Sequence, residues 1–224
     1  MRAPVLYYPN FVADPDAAFA RLRDDLDWER RSDAPRCEYY CNDVRQPYVY
    51  GVGRGRRLYE PRPYHPAISE IRRKLEQLVG VTFEVCFLNR YLNQSDHLGW
   101  HADDSPEMDD ARPIASVSLG VSREIWFRRK PDMTADLARI EAGDTTPPGQ
   151  ITKFLLEHGS LCLMAPGMQD AWQHRVPKAS FQCGERISLT FRGYVPAPVE
   201  PRQDDLAAGS SPAGSAALSD RNPR

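Results

Sequence analysis

The feature of this sequence that most constrains its fold is a change of pattern at Gly80. Beyond that residue, short runs rich in Val, Ile, Phe and Leu alternate with turn residues, a pattern typical of β-strands. The runs are VTFEVCFLNRY, PIASVSLG, REIWFRRK, ITKFLLEHGSLCLM and RISLTFRGYV. Before Gly80, residues 14–28 and 66–79 have apolar side chains at helical spacing. Two helices followed by many short strands predict an α+β domain, a β-sandwich or open barrel with the helices on one face.

Terminal signals support both predicted helices. Asp14 can cap the first helix and Pro15 fits its first turn, whereas Gly80 is a C-terminal stop for the second. The insert 130–150 has the composition of a long loop between two strands. Residues 196–224 contain no aromatic side chain and few large apolar ones, which predicts a disordered tail. We therefore expect one folded domain over residues 1–195.

The bulk properties exclude several classes of protein. With 224 residues the chain can form one domain with a substantial core, and its net charge of −2 gives no global attraction to nucleic acid or membranes. No apolar run approaches the roughly 20 residues that cross a bilayer, and the N-terminal segment lacks a signal-peptide core. The cytoplasm is therefore the expected compartment, without a membrane partner. The five scattered cysteines, with no CxxC motif, argue against a disulfide framework or zinc module.

The stretch LGWHADDSP suggests a metal site. His101 and Asp103 follow a predicted strand and a polar loop, and His174 follows another strand and its turn. If both strand ends meet at the mouth of one sandwich, two imidazoles and one carboxylate would bind one face of a metal, an arrangement that suits Fe(II). The alternative is coincidence, because HxD pairs are frequent. His97 has helical spacing to His101, but Gly99 between them argues against a helix there.

A pair of arginines in the last predicted strand suggests an anion site. Arg186 and Arg192 lie six residues apart in RISLTFR and therefore share one face of the strand, opposite the apolar residues. Arginines that face the interior of a barrel are costly unless they meet anions, and a dicarboxylate beside the metal would bind them bidentately. The alternative is a solvated strand face. If the apolar face packs on the helices, the arginine face is the interior.

At this point several segments together resemble a known family. NRY, HAD, PIASVSLG, LEHGSLCLM, WQHRVPK and RISLTFR resemble, in order and spacing, the AlkB-type Fe(II)/2-oxoglutarate dioxygenases. That family removes alkyl groups from nucleic-acid bases. The resemblance covers residues 48–194 and, through HADDSP and DAWQHRVPK, is strongest to the branch with the eukaryotic base demethylases. It implies a double-stranded β-helix, or jelly-roll, core over about residues 80–195.

The resemblance also implies an activity. The expected reaction is oxidative demethylation of bases such as 1-methyladenine and 3-methylcytosine in DNA or RNA, with Fe(II), O2 and 2-oxoglutarate, releasing formaldehyde, succinate and CO2. A 2-oxoglutarate-dependent hydroxylase of a modified tRNA base, a protein or a small molecule is the alternative. A module that binds 2-oxoglutarate or nucleic acid without turnover is a further alternative, from a different class.

Roles for individual residues are implied by the same resemblance. It implies that His101, Asp103 and His174 hold Fe(II), and that Arg186 binds the distal carboxylate of 2-oxoglutarate. The full set of implied 2-oxoglutarate contacts is Asn89, Tyr91, Arg186, Thr190 and Arg192. The sequence departs from the family pattern at Ser188, where Asn is usual, and at Ser105, where an acidic residue that reads the base is common. The second departure leaves the base preference open.

Residues 36–66 are expected to recognise the nucleotide. The segment contains six arginines and six tyrosines, and arginines bind phosphates while aromatic rings stack on the bases of single strands. The family also places its nucleotide-recognition segment ahead of the strand core. The alternative is a solvated loop with its aromatic residues packed on the core. The expected substrate contacts are Tyr50, Arg54, Arg56, Trp100, Asp104 and Ser105, the expected partner is single-stranded DNA or RNA, and we expect a monomer.

Overall fold

The computed structural model describes residues 3–32, 34–50, 56–131 and 150–195. These ranges contain twelve strands and three helices. The strands are β1 (Val5–Tyr8), β2 (Cys37–Asn42), β3 (Tyr48–Tyr50), β4 (Arg57–Tyr59), β5 (Val85–Tyr91), β6 (Leu98–His101), β7 (Ile114–Gly120), β8 (Arg123–Arg129), β9 (Thr152–Leu156), β10 (Ser160–Met164), β11 (Trp172–Val176) and β12 (Arg186–Arg192). The helices are α1 (Pro15–Asp25), α2 (Pro66–Val79) and α3 (Met168–Ala171).

Two antiparallel sheets face each other across a shared interior. One has six strands in the order β1-β10-β7-β12-β5-β2, and the other has four in the order β6-β11-β8-β9. Apolar side chains from both sheets, including Ile114 of β7 and Phe127 of β8, belong to one buried cluster between them. The hairpin β3-β4 forms a separate two-stranded sheet. This arrangement is the jelly-roll sandwich that the family resemblance implies, and it agrees with the β-sandwich that the sequence pattern predicts.

Helices α1 and α2 cover the outer face of the six-stranded sheet. Ile187, Leu189 and Phe191 of β12 are fully buried in a cluster that includes Leu22 of α1 and Leu75 of α2. Burying each such side chain contributes about 1.5–3 kcal/mol, so this contact fixes which face of β12 points outward. The arginine face of β12 must then point into the sandwich, and the expected position of the helices on one face is confirmed.

The helix boundaries agree closely with the sequence signals. Asp14 caps α1 by accepting a hydrogen bond from the backbone N–H of Ala17. This helix ends at Asp25, short of the predicted residue 28, because Trp28 turns back and donates its indole N–H to the carbonyl of Leu22. The second predicted helix coincides with α2, and Gly80 ends it with a φ of 73°, a conformation that glycine adopts without strain.

Two other predictions concern regions that are partly or wholly outside the described residues. Residues 132–149 of the predicted long loop lie there, as does the whole predicted tail, 196–224. Within the described ranges, no helix combines the length and apolar character needed to cross a membrane.

Candidate iron and cosubstrate site

The three predicted metal ligands meet between the two sheets. His101 ends β6 and pairs directly opposite His174 of β11, while Asp103 comes two residues after His101. The Nε2 atom of His101 lies 3.5 Å from Oδ1 of Asp103, and Nε2 of His174 lies 3.7 Å from Oδ2. One ligand atom from each residue lies within 4.8 Å of the others. The geometry therefore offers a compact set of three metal donors.

A β-bulge places the histidine of β6 in the interior. Leu98 pairs with Val176 and His101 with His174, so Gly99 and Trp100 together lie opposite one residue of β11. Such an extra residue changes the direction in which the next side chain points. The Nδ1 atom of His101 lies 3.0 Å from the carbonyl of Gly99. When Nδ1 carries the ring proton, its N–H donates to that carbonyl, and Nε2 is left free for a metal.

The structure corrects the predicted setting of both histidines. The sequence placed His174 directly after a strand and its turn, but helix α3 intervenes and His174 lies inside β11. His101 lies in a strand of its own that the sequence pattern did not reveal. Strand β6 has four residues, one of them glycine, and no β-branched residue, so it lacks the composition by which strands are recognised.

The protonation states at this site suit a divalent metal. Burial lowers the pKa of His101 and lowers that of His174 to about 3, so both imidazoles are neutral at physiological pH. Burial alone would raise the pKa of Asp103, but Arg192 and the two histidines outweigh it and lower that pKa. Neutral imidazoles and an ionised carboxylate are the forms that bind metals. The buried Oδ2 atom of Asp103 has no hydrogen-bond partner among the described residues, so a bound cation would satisfy it.

Two further side chains hold Asp103 in place, one through its carboxylate and one through its backbone. Arg192 donates a hydrogen bond of 2.6 Å from Nη2 to Oδ1 of Asp103. The buried amide of Gln169 accepts the backbone N–H of Asp103 at 2.9 Å. Sequence reasoning missed Gln169, because nothing in the pattern around α3 distinguishes it from an exposed polar residue. Partners of this kind orient metal ligands and are a regular part of metal sites.

All five predicted 2-oxoglutarate contacts line one cavity together with the three metal ligands. The cavity is bounded by Asn89, Tyr91, Leu98, His101, Asp103, Ser116, Ile125, Met164, His174, Val176, Arg186, Ser188, Thr190 and Arg192. The serines of β7 alternate with apolar residues in IASVSLG, a signal for this interior face that the sequence analysis did not use. Ser188, at the position where the family usually has Asn, is buried in the same wall.

Arg186 is the strongest indication of an anion site. Its side chain is 1% exposed, and Nη2 donates to the hydroxyl of Ser118 at 2.8 Å. Its Nε and Nη1 atoms have no hydrogen-bond partner, and the described part of the chain places no carboxylate against it. Burial lowers its pKa, yet a guanidinium remains charged in proteins. A buried, unpaired cation beside a metal site fits the terminal carboxylate of a dicarboxylic acid.

A buried network connects this cavity to strand β2 and the β3-β4 hairpin. Arg36 donates from Nε to Oδ1 of Asn89 and from Nη2 to Oε1 of Glu38, both at 2.6 Å. Tyr59 donates its hydroxyl to the other oxygen of Glu38 at 2.9 Å. Arg36 was counted among the arginines that could bind phosphate, but it is only 7% exposed. Its role in the fold is to orient the amide of Asn89.

We expect Tyr59→Phe to lower the free energy of unfolding by about 1.5 kcal/mol, because the buried carboxylate of Glu38 loses one hydrogen-bond donor. Urea unfolding monitored by circular dichroism measures this change. Tyr8→Phe is the matched control, because the described residues offer its hydroxyl no partner, and it should change stability by less than about 0.5 kcal/mol. Equal losses in both variants would contradict the assigned role of the Tyr59 hydroxyl.

The tyrosines of residues 36–66 and the predicted substrate contacts lie in different environments, some buried in the core and some partly exposed. Tyr39, Tyr40, Tyr48 and Tyr59 are buried, so the alternative of aromatic residues packed on the core applies to these four. Tyr50 remains partly exposed beside Tyr48, with ring centroids 6.4 Å apart. Ser105 shares a hydrogen bond of 2.8 Å with the hydroxyl of Tyr48.

The remaining predicted contacts lie at the edges of this region or away from it. Asp104 accepts a hydrogen bond from Lys130 at 2.8 Å, and Arg56 is exposed. Arg54 lies outside the described residues. Trp100 is not among the residues that line the cavity, because the bulge directs its ring to the outer face of the four-stranded sheet.

Comparisons with known proteins agree with this geometry. A profile of the 2OG-Fe(II) oxygenase superfamily matches residues 6–192. The human "Alpha-ketoglutarate-dependent dioxygenase alkB homolog 3" is 33% identical over 205 residues, which cover 87% of this chain and 67% of that protein. The human "DNA oxidative demethylase ALKBH2" is 34% identical over 132 residues, which cover 59% of this chain and 48% of that protein.

A solved structure supports the fold. "The structure of OsALKBH1" superimposes with a TM-score of 0.57 at 16% identity, covering 87% of this chain and 98% of that one. At this identity the likeness concerns the fold alone. Together with the matches in sequence, it shows that the chain belongs to the 2OG-Fe(II) oxygenase superfamily, among the AlkB-type dioxygenases.

Proposed function

We propose that this dioxygenase removes methyl groups from ring nitrogens of nucleic-acid bases, of the 1-methyladenine and 3-methylcytosine type, and acts on single strands of DNA or RNA. The observation that carries the proposal is the largely buried His101–Asp103–His174 set beside the unpaired Arg186 in one cavity of an AlkB-type fold. In the overall reaction the methylated base, O2 and 2-oxoglutarate become the free base, formaldehyde, succinate and CO2. The name of the related ALKBH2 describes a DNA oxidative demethylase.

The residues of the cavity form two groups, one suited to the metal and one suited to the cosubstrate. His101, Asp103 and His174 would hold Fe(II), a metal that two imidazoles and one carboxylate suit. Arg186 would bind the distal carboxylate of 2-oxoglutarate, and Asn89, held by Arg36, would donate its amide N–H to the same molecule. When bound, the iron supplies the oxidising chemistry that no side chain can provide.

The protein must also bring the methyl group to the metal and exclude water. Tyr50, Arg56, Asp104 and Ser105 would contact the nucleotide at the rim, with Ser105 held by Tyr48. An enzyme that acts on a base needs it outside the stack, and a single strand presents it without the cost of unpairing. That cost is the reason for proposing a preference for single strands.

The test uses purified protein with Fe(II), ascorbate and 2-oxoglutarate. Single-stranded oligonucleotides carrying 1-methyladenine or 3-methylcytosine, and the same sequences as duplexes, are followed by mass spectrometry. We expect loss of the methyl group, faster from the single strand, and no reaction with His174→Ala. If succinate forms while every methyl group remains, the substrate is instead a modified tRNA base, a protein or a small molecule, and the demethylase proposal is wrong.

A further inference from the structure

Five side chains form a row on the outer face of the four-stranded sheet, which we call the outer ladder. It comprises Lys153 of β9, Trp126 and Arg128 of β8, Arg175 of β11 and Trp100 of β6. Lys153 lies over the ring of Trp126 at 4.2 Å, and Arg175 lies over the same ring at 4.2 Å. Arg175 also lies 5.0 Å from the ring of Trp100, and Arg128 lies 4.2 Å from it. Cations and indoles therefore alternate across the sheet.

The register of the sheet produces this row. Trp126 pairs with Arg175 on one side and with Lys153 on the other, so their side chains share one face. The neighbouring residues, His174 and Phe127, point into the sandwich. The bulge in β6 adds Trp100 to the same outer face. The metal site and the outer ladder are thus opposite faces of the same strands.

The cations of the outer ladder are ordered but not neutralised. Among the described residues, no carboxylate forms an ion pair with Lys153, Arg175 or Arg128, although the chain as a whole carries a net charge of −2. Stacking on an indole holds a cation in place while leaving its charge available, whereas a salt bridge would cancel it. Glu124, an acidic residue of β8 on this face, accepts the indole N–H of Trp126 at 2.7 Å. The Nε atom of Arg175 is buried without a hydrogen-bond partner.

We propose that the outer ladder binds single-stranded nucleic acid, as an extension of the strand whose base occupies the active site. This inference rests on the proposed function. Three aligned positive charges suit a phosphate backbone, and partly exposed tryptophans beside them suit bases. The ladder is continuous with the site: Trp100 precedes the metal ligand His101, and Arg128 is two residues from Lys130, which pairs with Asp104 at the rim. A strand that leaves the cavity over this edge meets the ladder directly.

The test compares charge reversals on two faces of the molecule. The variant Lys153→Glu/Arg175→Glu alters the ladder, and Arg21→Glu/Arg73→Glu, at exposed positions of α1 and α2, is the matched control with the same change in net charge. Fluorescence anisotropy measures binding of an unmodified 20-nucleotide strand. Demethylation is measured on a methylated 20-mer and on a methylated trinucleotide, which is too short to reach from the cavity to the ladder.

We expect the ladder variant to bind the 20-mer at least about 10-fold more weakly than the wild type. The slope of log K against log salt concentration should be smaller in magnitude by about 1.4. The kcat/KM of the ladder variant on the methylated 20-mer should fall in parallel, while its kcat/KM on the trinucleotide stays unchanged. The control variant should resemble the wild type in binding and in both kcat/KM values. A third variant, Arg175→Lys, keeps the charge and should retain binding.

Two results would overturn the inference: wild-type binding by the ladder variant, or equal loss on the trinucleotide and the 20-mer. Failure of the proposed function has a different signature. In that case the wild type demethylates neither oligonucleotide, while the anisotropy measurement still shows whether the ladder binds single strands.

Discussion

Asp103→Ala is expected to reduce iron-dependent succinate formation by well over 100-fold. Loss of a side chain that merely supports a metal ligand typically costs about 10–100-fold in affinity or activity, and loss of the ligand itself must cost more. In this protein the carboxylate has two tasks, because Asp103 faces both imidazoles and also pairs with Arg192. The metal-free variant should therefore be less stable than the wild type by about 3 kcal/mol, since a buried cation loses its partner.

The stabilisation that a bound metal gives separates the two tasks of Asp103, which are binding the metal and pairing with Arg192. Mn(II), a divalent metal that carboxylate ligands suit, should stabilise the wild type by about 2.7 kcal/mol when present at 100 times its Kd. Asp103→Ala should show little such shift relative to its own metal-free Tm. Asp104→Ala is the control, because its carboxylate contacts Lys130 at the surface and should leave metal binding unchanged. A wild-type shift in Asp103→Ala would show that this carboxylate does not bind the metal.

Arg186→Met is expected to weaken the use of 2-oxoglutarate and, at the same time, to stabilise the folded protein. Its KM for 2-oxoglutarate should rise by about 30-fold or more, because removing one partner of a buried, hydrogen-bonded charge pair costs about 2 kcal/mol or more. Without the cosubstrate, the same change should raise the free energy of unfolding by about 1 kcal/mol or more. The reason is that Arg186 is a buried cation with two unpartnered nitrogens, and an apolar side chain of similar volume avoids that cost.

Arg123→Met is the matched control for this prediction. Arg123 is also buried, but it donates to the carbonyls of Asn93, Asp96 and Pro177. Its replacement leaves those carbonyls without a donor, so the control should lose stability and raise KM far less. Urea unfolding without ligands and succinate formation at varied 2-oxoglutarate measure the two effects. A destabilised Arg186→Met with an unchanged KM would assign this arginine a purely structural role.

The sequence predicts those parts of the fold whose signals are local. The alternation in RISLTFR, together with two amphipathic helices, correctly predicts which face of β12 is covered and where its arginines point. The predicted helix 66–79 coincides with α2 because both of its ends carry local capping signals. The candidate iron ligands and candidate cosubstrate contacts could be named only because several segments resemble a family in order, since HxD alone is too frequent.

The features that the sequence could not predict depend on contacts between distant residues. Arg36 meets Asn89 across 53 positions, and Asp103 meets Gln169 across 66, with no pattern that links them. Composition also fails to distinguish roles within residues 36–66. Tyr48 and Tyr59 pack against Phe87 in the core, whereas Tyr50 stays partly exposed, although all of them belong to the same Tyr-rich segment.

The bulge in β6 has a consequence for how this chain can vary. β6 is a four-residue strand at the edge of its sheet, a position where bulges are common. Because Gly99 and Trp100 together lie opposite Arg175, Leu98 and His101 share the inner face although they are three positions apart, a spacing that gives opposite faces in a regular strand. Deleting Gly99 would leave Trp100 alone opposite Arg175, so Trp100 would stay on the outer face and His101 on the inner face. The candidate ligand therefore keeps its facing through its pairing with His174, and this short edge can lose one residue without turning it to solvent.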